Sequence, residues 1–302
     1  MKTFLSSLLF TLLSVALMAQ TPVALKLNFE KGKTYTIKSI TKQTMQQGVA
    51  GQSMVVNVLT NCVTSFKLLN RENEVLELEV RFDTVANKIS SAMYNKETSS
   101  AKPGTNSQER LQNKMSLYPL KAKFSTSGKF MSFTNLNEFK TNVMLFIDSL
   151  PDSKKDEAKT QATMLLKESA LKSSIEPIFA HLTDKPVNVN DSWESSYIMT
   201  VSDIAFLVFN TYTLKAVENG QATLSATSEI ESMPSSNASI KIDQPIKGSA
   251  TYETHVDLVN GMISTQTEKN KMEGTVTAVS GGAEYKVDLK IEAQAETVLK
   301  IK

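Results

Sequence analysis

The C-terminal stretch Glu284-Tyr285-Lys286-Val287-Asp288-Leu289-Lys290-Ile291-Glu292-Ala293-Gln294-Ala295-Glu296-Thr297-Val298-Leu299-Lys300-Ile301 decides the fold. Tyr285, Val287, Leu289, Ile291, Ala293, Ala295, Leu299 and Ile301 fall on one side. Glu284, Lys286, Asp288, Lys290, Glu292, Gln294, Glu296 and Lys300 fall on the other. A period of two is the side-chain period of a β-strand. At ~3.3 Å per residue this strand would run about 55 Å, roughly three times the usual length. Leu76, Leu78, Val80 and Phe82 alternate in the same way with Glu77, Glu79, Arg81 and Asp83. Strands with one apolar and one wet face belong to antiparallel sheets, whereas strands of a parallel sheet are apolar on both sides.

Upstream, Thr34 to Met45, Ser53 to Leu69, Phe206 to Val217, Ala222 to Ile230 and Ala250 to Leu258 also have strand character. Turn residues separate them. Glu72-Asn73, Ser127-Gly128, Asn219-Gly220 and Asn260-Gly261 mark hairpins, and Gly281-Gly282 marks one more. The middle of the chain changes period. Leu136, Phe139, Val143, Phe146 and Leu150 recur at helical spacing, with Asn135 and Glu138 as a capping box and Pro151 as the stop. A second helix is expected from Ser153 to about Ser173, and Pro177 opens a short third one. The polar segments Asn95 to Asn113 and Ser232 to Asn237 lack any apolar period and read as mobile loops.

The chain repeats itself. Phe66-Lys67-Leu68, Glu72-Asn73 and Leu78 match Tyr212-Thr213-Leu214, Glu218-Asn219 and Leu224 at an offset of 146. Further on, Phe124 to Phe130 around Gly128 resembles Asp257 to Ile263 around Gly261 at an offset of 133. The expected fold is therefore mainly β (α+β), with long antiparallel strands in curved sheets, two duplicated halves and a central helical insert. The corresponding division is a signal peptide at 1–19, a first β half at 20–134, the insert at 135–183 and a second β half at 184–302.

Lys2, the apolar run from Phe4 to Leu17 and the small residue Ala19 form the three parts of a secretory signal, too short to anchor in a bilayer. No Cys follows that run, so lipoprotein processing is not expected. Without Lys2 the formal charge falls from +2 to about +1, with both signs interspersed. That balance argues against nucleic acid and against electrostatic docking on membranes, both of which require a basic face. Cys62 is the only cysteine, so no internal disulfide is available, and its place in an apolar strand pattern suits a buried structural thiol.

Little in the chain announces catalysis. His181 and His255 are the only histidines; the first ends a helix and the second lies out of phase with Tyr252, Thr254 and Val256, so both read as surface residues. No zinc spacing, no G-x-S-x-G elbow and no calcium-loop string occurs. Neighbouring carboxylates such as Glu77 and Glu79 sit on wet strand faces. No catalytic residue, no metal site and no cofactor is expected. Thr84 in Asp83-Thr84-Val85 and Ser149 in Asp148-Ser149-Leu150 fit a permissive acceptor pattern for O-glycosylation. If the concave apolar face is left open for a ligand, Phe139, Val143, Phe146 and Ile147 are the candidate lining; they serve a filled core equally well.

The opening Leu25-Lys26-Leu27-Asn28-Phe29-Glu30-Lys31-Gly32-Lys33-Thr34-Tyr35, the Ser127-Gly128 hairpin and Asp191-Ser192-Trp193 after the helices resemble uncharacterised exported proteins of Bacteroidota, a domain-of-unknown-function family. The resemblance spans most of the chain. It implies a periplasmic or surface location and supplies no catalytic residues. The expected function is that of an exported, non-enzymatic protein binding an apolar or amphiphilic ligand in the cell envelope. The alternatives are a structural protein acting through envelope protein partners and, less favoured, a hydrolase without a recognisable motif.

Overall fold

The computed structural model describes residues 21–49, 52–102, 104, 106–201, 204–234, 240–242, 244–280 and 283–302. The signal segment 1–19 and the Gly281-Gly282 turn lie outside the described residues, as do positions 235–237 of the Ser232–Asn237 stretch. Thirteen strands form one antiparallel sheet. They are β1 (Thr34–Val49), β2 (Gln52–Glu72), β3 (Val75–Ser91), β4 (Asn95–Ser99), β5 (Leu120–Ser125), β6 (Phe130–Phe133) and β7 (Ser192–Val201). The remainder are β8 (Ile204–Glu218), β9 (Gln221–Ser232), β10 (Ile240–Lys241), β11 (Lys247–Asp257), β12 (Ile263–Ser280) and β13 (Ala283–Ile301). The order across the sheet is β6-β5-β3-β2-β1-β13-β12-β11-β9-β8-β7, and the two edges do not pair. The alternating C-terminal stretch becomes the central strand β13, bonded to β1 on one side and β12 on the other.

Strands β1-β2-β3-β5-β6 and β7-β8-β9-β11-β12 pair in the same succession, and one ladder irregularity recurs at the sequence offset. The β2–β3 ladder slips at Leu69, and the β8–β9 ladder slips 146 residues later at Lys215. Asn73 and Asn219 both take positive φ in the following turns. Gly128 and Gly261, 133 residues apart, are both left-handed. Each of those glycines admits a passing segment. A Cβ on Gly261 would overlap the Lys26 carbonyl oxygen, and one on Gly128 would fall 2.8 Å from Phe179.

Helices α1 (Ser107–Leu117), α2 (Leu136–Met144), α3 (Asp152–Leu165) and α4 (Glu168–Ile175), with 3₁₀ turns at Leu145–Ser149 and Glu176–Phe179, cover one end of the sheet. They pack on the face that carries Tyr35, Phe66, Leu78, Leu214 and Leu224, here called the inner face. Phe179 seats its ring edge-to-face against both Phe66 and Phe124, at 5.2 and 5.0 Å. The N-terminal segment with buried Leu25, Leu27 and Phe29 straps this end by backbone bonds to Thr126, Thr183 and Asn260. A second apolar cluster around Phe206, Val208, Ile230 and Val276 fills the far end of the second half.

Several local expectations are corrected. The segment Asn95–Asn113 holds strand β4 and the start of α1, because Asn106 caps that helix through the Glu109 N–H. Asn135 stands at the N-cap of α2, but its side chain makes no capping hydrogen bond there. Its side chain instead bridges the Lys121 N–H and the Pro119 carbonyl. The single second helix is two, broken at Leu166 and Lys167. His181 is fully buried; its Nε2–H donates to the Gly261 carbonyl at 2.9 Å.

Candidate functional site

The inner face is largely filled. Phe139, Val143, Phe146 and Ile147 are all buried in the main core, packed among the helices and the sheet. A cavity of about 200 Å³ stays open between helices and sheet, lined by Cys62, Ser39, Thr64, Ile178, Gln266 and Thr297. Burial pushes the Cys62 thiol pKa up, which keeps the thiol protonated and unreactive. Thr84 is half-buried within β3, and Ser149 donates to the Phe146 carbonyl at the end of a 3₁₀ turn. Among the described residues no group of three His, Cys, Asp or Glu side chains is placed to hold a metal ion.

A broad depression lies on the opposite, outer face. It is a trough of about 690 Å³ crossing β3, β2, β1, β13, β12 and β11. The register explains its chemistry. Residues directly opposite one another in a ladder point to the same side. Lys88 faces Leu59, Leu59 faces Lys42, Lys42 faces Gln294, Gln294 faces Lys269, and Lys269 faces Thr251. The next row reads Ser90, Asn57, Thr44, Glu292, Lys271 and Ser249. Thr44 donates to the Asn57 side chain at 3.0 Å, tying β1 to β2 on the trough floor.

Charge is concentrated here. Lys42, Lys88, Lys269 and Lys271 against Glu292 give the lining a formal +3, whereas the whole chain carries only +2. Lys88 is engaged by Glu97 at 2.8 Å, and Glu292 by Lys290 at 3.2 Å. Lys42, Lys269 and Lys271 make no ion pair among the described residues. With strands ~4.8 Å apart, the Cα atoms of Lys42 and Lys269 stand about 10 Å from each other, on either side of Gln294. Three unpaired cations at such spacing repel one another, and an anion placed among them removes that cost.

The trough opens at Asn57 and Ser90 into a second groove of about 490 Å³ that shares both residues. This groove mixes Val55, 42% exposed, and Met93, 85% exposed, with Met54, Ala92, Ser53 and Ser91. A cationic, hydroxyl-rich channel thus continues into one where Val55 and Met93 offer exposed apolar surface. Sequence reasoning missed it because each lysine taken singly is an ordinary exterior residue of a strand. The signal is in the register between β1 and β13, whose partners are some 250 residues apart in the chain.

A family model matches residues 73–263, from the β2–β3 turn to the first residue of β12. The chain belongs to DUF6263, a family of unknown function. The DUF6263 match contains Lys88, Ser249 and Thr251 of the trough and leaves Lys42, Lys269 and Lys271 outside it. No curated protein matches the chain. Among solved structures, lipovitellin is similar over 91% of this chain and 26% of its own, at 10% identity and a TM-score of 0.48. This chain therefore spans about a quarter of lipovitellin. An outer membrane channel from Pseudomonas putida F1 aligns over 91% of this chain and 98% of its own, at 6% identity and a TM-score of 0.24. An exported protein with a YmcC-like fold from Bacteroides fragilis aligns over 92% and 99%, at 10% identity and a TM-score of 0.25. At these scores none of them bears on what this chain binds.

Proposed function

We propose that the protein is an exported, non-enzymatic binding protein for an anionic amphiphile of the cell envelope. The observation that carries this reading is the continuity of the lysine trough with the Val55–Met93 groove. The head group lies among Lys42, Lys269 and Lys271, and the apolar chain follows Leu59 toward Val55 and Met93. A volume of several hundred Å³ suits a small amphiphile. The ligand site thus sits on the outer face, not on the inner face where Phe139, Val143, Phe146 and Ile147 pack. Export rests on the charge, apolar run and small-residue end of the first nineteen residues.

The test is native mass spectrometry of the processed protein purified from its own envelope, followed by solvent extraction. A stoichiometric adduct that releases an acidic amphiphile is the expected result. A bare polypeptide mass under gentle conditions, together with no affinity for dodecyl phosphate, would remove this reading.

A further inference from the structure

A cleft of about 470 Å³ lies between the β5–β6 turn and the edge strand β7. One wall is the Ser127-Gly128-Lys129 turn between β5 and β6. The floor is the segment from Glu176 through Phe179 to Lys185, and the other wall is Trp193 to Tyr197 of β7. This cleft is unlike the lysine trough. Lys129 and Asp184 pair with each other, Glu176 pairs with Lys172 at 3.4 Å, and Lys185 and Glu194 offset one another in formal charge. Ser127, Thr183, Ser195 and Ser196 supply hydroxyls that both donate and accept.

Trp193, the only tryptophan of the chain, lies in this wall. Its ring stacks on Tyr212 with centroids 5.8 Å apart and planes at 18°. Its buried Nε1–H has no acceptor among the described residues. A buried donor without an acceptor is uncommon and costly.

The wall is also held from behind. Asn210 Nδ2 points at the Ser195 carbonyl and hydroxyl at 3.5 and 3.4 Å, and Ser228 donates to Asn210 Oδ1. Ser228 in turn bonds Tyr252, and Tyr252 bonds Tyr197. Asn210 and Ser228 are both buried. A polar chain sunk in an apolar interior costs desolvation. It returns rigidity at its two ends, Ser195 and Tyr197, which are both cleft residues.

We propose that this cleft is a second binding site, for a neutral polyhydroxylated ligand of the short-saccharide class. Near-neutral charge excludes the anionic head suited to the trough. Aromatic rings beside hydroxyls and the carboxylates of Glu176, Asp184 and Glu194 match a molecule that offers C–H faces and hydroxyl edges together. All cleft residues fall within the span matched by the family, so the site belongs to the part of the chain that DUF6263 describes.

Because Trp193 is the sole tryptophan, intrinsic fluorescence reports on this cleft alone. The full processed chain is titrated with maltotetraose, cellotetraose, chitotetraose and mannotetraose into the millimolar range. Saturable change in emission with at least one of them is expected. Ser195→Ala and Glu176→Gln should each weaken it about tenfold, as loss of one ligand hydrogen bond implies, while the melting temperature is kept. Saturation-transfer NMR on the same four sugars covers binding that leaves the indole unmoved. No binding by either method overturns the proposal. So does binding that the Ser195→Ala/Glu176→Gln double variant leaves unchanged, since the sugar then sits elsewhere.

Discussion

The His181 imidazole hangs from the Gly261 carbonyl, its Nε2 2.9 Å from that oxygen, and so fastens the helical segment to the β11–β12 turn. Burial lowers its pKa to about 4, well below the ordinary 6.5, because an imidazolium there would lose its water. The unfolded chain takes up a proton near pH 6.5 while the native chain resists it down to about 4. Stability should therefore be full above pH 6.5 and fall progressively between there and pH 4. The loss is roughly 3 kcal/mol at the lower end, since each pH unit between the two titrations is worth about 1.36 kcal/mol. Urea unfolding at pH 7 and pH 4.5 measures it. His181→Gln, which keeps a donor for Gly261, should flatten this part of the pH profile. An unchanged profile would show that the acid loss comes from carboxylates instead.

Gly220 and Gly261 have the same φ of +75° and opposite surroundings. Nothing lies within 4 Å of a Cβ at Gly220, whereas one at Gly261 would overlap the Lys26 carbonyl and the Leu27 nitrogen. Gly220→Ala should cost about 1 kcal/mol, the strain of left-handed backbone alone. Gly261→Ala should cost several times more, because the N-terminal strap must lift off the turn. Thermal melts of the two variants side by side decide it, and equal losses would mean that the strap yields freely.

The contrast between these two glycines also marks what a sequence can disclose. Both read as hairpin glycines, and both are. Their chain neighbours determine φ, but only the fold brings Lys26 across one of them. The same holds for His181. Its place at a helix end suggests a solvated cation, yet the β11–β12 turn and its residue Gly261, 80 positions away, close over it. Strands are legible where alternation is sharp, as in Tyr285 to Ile301, and not where it is weak, as in the polar β4. The break at Leu166-Lys167 is not legible either, since no Pro or Gly announces it and only packing decides where α3 ends. The trough is hidden for a further reason. Lys42 and Lys269 become neighbours only through β13, and that pairing is nowhere written in either strand alone.

Phe139 and Val143 test whether α2 serves the core or a ligand. Both side chains are sealed, Phe139 at 1% exposure and Val143 at 0%. Truncation should therefore leave cavities. Phe139→Ala is expected to cost about 3–5 kcal/mol, and Val143→Ala somewhat less. Chemical denaturation gives these values, and titration with dodecyl phosphate gives the other half of the answer. Affinity should be unchanged wherever the variants remain folded. A variant of normal stability that no longer binds would move the ligand site back to the inner face.

The lysine trough makes the sharpest demand, because charge and apolar contact are separable in it. Lys42, Lys269 and Lys271 are exposed, so Lys42→Gln/Lys269→Gln/Lys271→Gln should leave the melting temperature within about 1 °C of the parent, as surface substitutions do. Affinity for dodecyl phosphate should fall about tenfold or more, with three partly screened contacts each worth up to ~1 kcal/mol. Raising salt to about 0.5 M should erase much of the difference, since the screening length drops well below ~10 Å. Val55→Ser/Met93→Ser should act on the apolar contact instead. It should weaken dodecyl phosphate, leave the short octyl phosphate less affected, and keep the salt dependence intact. Calorimetry with dodecyl maltoside, which has the same tail and no charge, completes the set. Weak binding of the maltoside places the selectivity in the lysines. Equal binding of maltoside and phosphate would make the groove a general apolar surface and leave the three lysines as solvated exterior.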